Sequence, residues 1–282
     1  MFRLDPDTFK KLHPQEFHRR FLGKGVRPDG REGLMSWRTP SIHRGSIATC
    51  NGSALIRMGG TTVLCGVKAE VAVPDTNHPT TGYLVPNVEF PPLAGSQFKP
   101  TAPGEFTQSI SELIYRIVKG NNIINLESLC IEPGKAVWTL HVDIVFLNYE
   151  GNPIDSALLA LTSALTDTRL PKVSYSEVEG TVRAVTSISD RSIALELTRI
   201  PFAATFGIFE GTATEDNGKA GAKSAMADPT EEEESVLLST LTIVVDGLSQ
   251  DLMGTFGGQV PLDLMDSCIV QAKKRANIVK KL

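Results

Sequence analysis

Carboxylates crowd one short stretch of this 282-residue chain, Asp228-Pro229-Thr230-Glu231-Glu232-Glu233-Glu234. Hard divalent cations prefer carboxylate oxygens, so Asp228 and one of the glutamates could converge on a metal. The plain alternative is a solvated acidic helix start, with Asp228 capping a turn that has Pro at its first position. A second candidate is Arg27-Pro28-Asp29-Gly30-Arg31, where Pro presets φ, Asp and Gly supply the bend, and two arginines are left close together. Such a pair either faces solvent or clamps a carboxylate or a phosphate.

Elsewhere the reactive residue types are scattered. His141 has no neighbouring Cys or second His and reads as a satisfied polar residue on a strand. Cys50, Cys65, Cys130 and Cys268 lie far apart with no CxxC spacing, three of them in apolar surroundings, so buried thiols are expected and not disulfides or a zinc site. A formal net charge of −4 argues against a free-standing nucleic-acid binder held by a basic surface. Any contact with nucleic acid must be local or shared with partners. No apolar run approaches the roughly 20 residues that span a bilayer, and Met1-Phe2-Arg3-Leu4-Asp5 lacks the apolar core of a signal peptide, so an intracellular protein without membrane contact is expected.

The elements that must position these residues follow from periodicity. Ser53 to Lys68 reads as two strands joined at Gly59-Gly60, with Ala54, Ile56 and Met58 opposing Val63, Cys65 and Val67 on one face. Ahead of it, Pro14 to Leu22 predicts a short amphipathic helix docking through Phe17 and Phe21. Val73 to Pro103 holds seven prolines and two glycines, which leaves room for one strand around Tyr83 to Phe90. Gly104 to Lys119 is helical, with Phe106, Ile110, Leu113, Ile114, Ile117 and Val118 on its apolar face. Trp138 to Leu147 alternates as a strand. Asp155 or Ser156 can cap a nearly all-apolar helix from Ala157 to Leu165, which must be buried on almost every side. In the second half, Ile193 to Leu197 and Phe202 to Phe209 alternate as strands, and Leu241 to Val245 predicts a central one. Pro261 to Lys281 predicts a helix with Leu262, Met265, Ile269, Ala272, Ala276 and Val279 inward. Thr212 to Ala227, small, polar and Gly/Ala-rich, reads as a mobile surface loop.

Arg27-Pro28-Asp29-Gly30-Arg31, the segment from Gly52-Ser53-Ala54-Leu55 to Lys68-Ala69-Glu70, Leu129-Cys130-Ile131, Val142-Asp143 and Asp228-Pro229-Thr230-Glu231-Glu232-Glu233, in this order, resemble the RNase PH family. Within it they resemble the ring subunits of the eukaryotic RNA exosome. Each motif alone is weak, but the ordered set is specific and covers nearly the whole chain, the 212–227 insertion excepted. The resemblance implies an α+β, RNase PH-like fold (ribosomal protein S5 domain 2-like), with two related β-α halves whose sheets flank central helices. It places an N-terminal helical arm at 1–24, a first half at 25–170 and a second half at 171–282, assembled as pseudo-dimers into a six-membered ring. The implied partners are other RNase PH-like ring subunits, S1/KH-type cap subunits, RNA in the central channel and, indirectly, a hydrolytic nuclease. The implied compartments are nucleus and nucleolus, with cytoplasm.

Active members of the family are phosphorolytic exoribonucleases that use inorganic phosphate to attack the terminal phosphodiester of an RNA 3′ end. They carry a Gly-Thr-Arg or Ser-Arg turn at the start of the buried helix, where backbone N–H groups and a guanidinium grip phosphate. The matching stretch here is Gly151-Asn152-Pro153-Ile154-Asp155. Pro153 lacks an N–H, Ile154 offers no charge, and Asp155 opposes phosphate. Active members also carry adjacent arginines before the preceding helix, where this chain reads Gly104-Glu105-Phe106. Asp228 and Glu234 fall where the family's metal-binding carboxylates lie and are read as a remnant. Lys99 is the one basic residue left in the Gln97 to Pro103 loop, either an RNA contact or a plain surface lysine. The resemblance therefore implies a non-catalytic ring subunit with no cofactor. The alternative is a phosphate-dependent exoribonuclease in which Asp228 and Glu234 hold a divalent metal and Arg27, Arg31 or a partner's arginine grips phosphate.

Overall fold

The computed structural model describes residues 12–100, 104–176, 180–184, 193–210 and 223–281. After helix α1 (Pro14–Leu22), the first sheet comprises β1 (Pro40–Arg44), β2 (Gly52–Met58), β3 (Thr61–Ala72), β4 (Tyr83–Glu89), β5 (Cys130–Glu132) and β6 (Ala136–Asn148). Its order is β1-β2-β3-β6-β4, with β5 also on β6, and every pairing is antiparallel except β4 with β6. Gly59 turns the chain between β2 and β3 at φ +61°, a region closed to most side chains. The expected face forms: Ala54, Ile56, Met58, Val63, Cys65 and Val67 are each no more than 2 % exposed. Each Val, Ile or Met side chain so buried contributes roughly 1.5–3 kcal/mol.

Helices α2 (Glu105–Gly120) and α3 (Pro153–Asp167) lie on this face, and α3 also packs on the second sheet. Small pairs, β7 (Arg169–Leu170) with β10 (Ile193–Ala194) and β8 (Val173–Ser176) with β9 (Thr181–Ala184), lead to β11 (Pro201–Glu210), β12 (Lys223–Ala227), β13 (Ser239–Asp246) and β14 (Leu252–Gly257), ordered β12-β11-β13-β14. A four-residue helix, α4 (Glu231–Glu234), sits between β12 and β13, and α5 (Leu262–Val279) packs on β11 and β13. Alternation along β13 serves both faces. Leu241, Ile243 and Val245 pack with Cys268, Ala272 and Ala276 of α5, while Val244 joins the core around α3. The mixed α and β fold with two sheets around central helices is therefore present.

Several local expectations need correction. Helix α1 docks through His18 and Leu22, which are buried, and Phe21 remains 38 % exposed. Helix α3 starts four residues earlier than its apolar run, at Pro153, with Asn152 as N-cap in place of Asp155 or Ser156. Thr230, not Asp228, caps α4. The inward stripe of α5 is Cys268, Ala272, Arg275, Ala276 and Val279, and Leu262 is 73 % exposed. Phe106, expected on the buried face of α2, is 42 % exposed. The strand expected over Ile193 to Leu197 covers only Ile193–Ala194. Lys223–Ala227, expected within a loop, is an edge strand on β11; residues 212–222 of that loop lie outside the described residues.

Candidate functional site

Three arginines ahead of β1 reach across to the second half. Arg27 is 1 % exposed and spends all five donors: Nε on Glu233 Oε1 at 3.0 Å, Nη2 on Glu233 Oε2 and the Asp228 carbonyl, and Nη1 on the carbonyls of Ala227 and Ser36. Of the readings open for this turn, clamping a carboxylate is the one formed, and the carboxylate is the chain's own. Glu233 is fixed in turn by a reciprocal cap, its carboxylate accepting from the Thr230 N–H and its own N–H reaching Thr230 Oγ1.

Asp228 follows β12 with φ +50°, and its side chain is fully buried. Its Oδ2 accepts from the Arg38 N–H at 2.8 Å, Arg38 Nε at 2.9 Å and Arg31 Nη1 at 3.1 Å. Its Oδ1 accepts from Arg38 Nη2 and Asn152 Nδ2, both at 2.8 Å. Burial alone raises the pKa of such a group, yet Arg38 and Asn152 hold it below the usual carboxylate value. Arg38 is fastened further by donating to the carbonyl of Glu150, and the Arg38 carbonyl accepts from Arg275 Nη2 at 2.9 Å.

The turn before α3 completes the arrangement. Gly151 has φ +81°, and a Cβ there would lie 2.4 Å from the Glu231 nitrogen, so only glycine lets α4 approach. Asn152, in the left-handed region at φ +52°, donates its amide to Asp228 and to Asp155 Oδ2 at 2.9 Å. Asp155 does not face the open side of the turn. It points into the interface between halves, accepting from the Thr205 hydroxyl at 2.7 Å and the Thr205 N–H at 3.1 Å, and burial raises its pKa. The Asn152 N–H, at the positive end of α3, donates to Glu234 Oε1 at 2.8 Å, and Glu234 Oε2 accepts from the Tyr149 hydroxyl at 2.6 Å. Burial raises the pKa of Glu234 and also that of Tyr149, so the phenol stays a donor.

Asp228, Glu234 and Asn152 to Asp155 are thus brought together, but as one internally paired network. Among the described residues no group of three His, Cys, Asp or Glu side chains is placed to hold a metal. Lys99 is exposed and lines a cleft beside this network together with Gly104, Glu105, Phe106 and Glu234. His141 lies elsewhere, on the open side of β6, 3.8 Å from Glu70. Cys65 and Cys268 are buried, Cys50 and Cys130 are half-buried, and none of the four is joined in a disulfide. No helix among the described residues is long and apolar enough to cross a membrane. Arg38, Tyr149 and Thr205 escaped the sequence reading. Tyr149 is two residues from the Gly151 turn, which was a usable signal, whereas Arg38 and Thr205 stand in no motif.

Two family descriptions match the chain: "3′ exoribonuclease family, domain 1" over residues 36–171 and "domain 2" over residues 199–275. The chain is 34% identical to the exosome complex component rrp43 of Schizosaccharomyces pombe, covering 96% of this chain and 95% of that one. It is also 34% identical to the exosome complex component Rrp42 of Thermococcus gammatolerans, over 93% of this chain and 90% of the relative. Among solved structures, an Archaeoglobus fulgidus exosome with RNA bound to the active site superposes with a TM-score of 0.77 at 26% identity, covering 95% of this chain and 96% of that chain. An archaeal exosome core superposes with a TM-score of 0.74 over 98% of both chains, a likeness of fold.

Proposed function

Since the chain belongs to the RNase PH family of 3′ exoribonucleases, we propose that it is a non-catalytic subunit of the six-membered RNase PH-like ring of an RNA exosome. One observation carries this reading. Asp228 and Glu234, at the positions of the family's metal carboxylates, spend their oxygens on Arg31, Arg38, Asn152 and Tyr149 of the same chain. The Asn152 N–H that would meet phosphate is taken by Glu234, Pro153 has no N–H to offer, and the Ile154 side chain brings no charge. Arg27, the cation that a phosphorolytic alternative would recruit, is sealed against Glu233. With Asp228, Glu234, Arg27 and Arg38 all committed to partners within the chain, charge developing on a transferring phosphoryl group at this turn would find neither these carboxylates free to hold a metal nor these guanidinium groups free to meet it.

In this reading the chain comprises an arm at 1–24, a first half at 25–170 and a second half at 171–282. It forms part of the ring wall beside homologous subunits, below caps with S1 or KH modules, and supports 3′-to-5′ maturation of rRNA and turnover of mRNA in nucleus, nucleolus and cytoplasm. A hydrolytic nuclease associated with the ring does the cutting, and Lys99 touches RNA in passage. The test is a phosphorolysis assay: the purified chain with oligoadenylate, magnesium and inorganic phosphate releases no ADP. Phosphate-dependent ADP release that disappears in Asp228→Asn overturns the reading.

A further inference from the structure

A cleft of about 1040 Å³ opens between β4, the loop after it, the start of α2 and α4. Its floor is aromatic. Phe90 stacks on Phe98 with centroids 4.8 Å apart, and Tyr149 stands edge-on to Phe98 and to Phe106, both at 5.7 Å. Glu89, Glu105, Glu231 and Glu234 line its sides, against Lys99 as the single basic side chain among the described lining residues. Glu231 accepts from Gln97 through Oε1 only, and Glu105 has no ion pair among the described residues. We propose that this cleft docks an arginine-bearing extended segment of a partner protein.

The charge of the lining selects a cation, and the floor selects which kind. A guanidinium is planar, weakly hydrated and attracted to aromatic faces, and it presents forked donors to carboxylates. A compact, strongly hydrated metal ion gains nothing from phenyl rings, and Glu234 has already used both oxygens within the chain. An RNA phosphate would meet four glutamates. Burial raises the pKa of Glu231, and Glu232 and Glu150 add to the rise, so a like-charge crowding exists there that a bound cation relieves. The proposal rests on the non-catalytic reading, since a phosphorolytic chain would need the space beside Glu234 for RNA.

The test uses the full chain and a capped, fluorescein-labelled Gly/Ser peptide with two arginines, alongside the same peptide with citrulline in their place. Fluorescence anisotropy shows saturable binding of the arginine peptide, weakened about tenfold by citrulline and about tenfold in Glu105→Gln/Glu231→Gln. Both glutamates are exposed, so the variant keeps the wild-type circular dichroism. Phe106→Leu, at the exposed aromatic, also weakens binding. Equal binding of the two peptides, no saturable binding, or no loss in either variant overturns the proposal. RNA shortened by the chain in phosphate overturns the functional reading instead, whatever the peptides do.

Discussion

The backbone N–H of Asn152 lies 2.8 Å from Glu234 Oε1, so the positive end of the buried helix α3 is occupied by a carboxylate of its own chain. In active relatives the resemblance puts a phosphate at this end. Here the anion is built in, and supplying one missing cation does not remove it.

Ile154→Arg is therefore expected to leave the chain without phosphorolysis. Glu234 still holds the Asn152 N–H, and Pro153 still lacks its own. ADP release from oligoadenylate in phosphate reads this directly, and detectable turnover in the single variant would show that the charge at 154 was the whole deficit.

Asp228→Ala removes the fully buried acceptor of five hydrogen bonds and leaves the part-buried Arg38 and Arg31 without it. Breaking a buried pair from one side costs about 3–5 kcal/mol. Urea unfolding should show that loss, while complexes that assemble with the variant degrade RNA at the wild-type rate. A stable variant in a complex with lost decay would instead assign Asp228 a role in the chemistry.

Arg27→Lys is expected to be costly despite its kept charge. Lysine cannot reproduce the forked pairing with Glu233 while also reaching the carbonyls of Ala227, Ser36 and Asp228. We expect a loss of about 3 kcal/mol. A loss near zero would mean that the pairing contributes little.

Two carboxylates give opposite pH signatures. The pKa of Asp228 is lowered from 3.8, so its contribution to stability is present above about pH 4 and is lost as pH falls through the folded value. The pKa of Glu234 is raised from 4.5, so its contribution is present in acid and is lost as pH rises through the folded value. Glu234→Gln should accordingly gain on the wild type between pH 4 and pH 7 in urea midpoints. A constant difference across that range contradicts this assignment.

Much of the fold was legible because burial imposes a period. The β2–β3 hairpin, α2 and the central β13 announce themselves through apolar spacing and, for the hairpin, Gly59-Gly60. Boundaries fared worse where polar residues are buried. Helix α3 begins at Pro153 and not at its apolar run, because Asn152 and Asp155 are sealed inside by Thr205 and Asp228, partners 50 and 76 residues away. Arg275 was unreadable for the same reason: a buried arginine on an apolar stripe makes sense only once Arg38 is beside it. In the site, the carboxylates were visible by type, but that their charge is answered from within depends on arginines ahead of β1, some 190 residues distant for Arg38 and Asp228. No local pattern carries that information.

The ring-subunit account is tested most directly by native mass spectrometry of the tagged protein isolated from its own cells in gentle salt. It predicts a stoichiometric assembly of different chains, several of them homologous to this one. A monomer or homo-oligomer that shortens RNA with phosphate would contradict it.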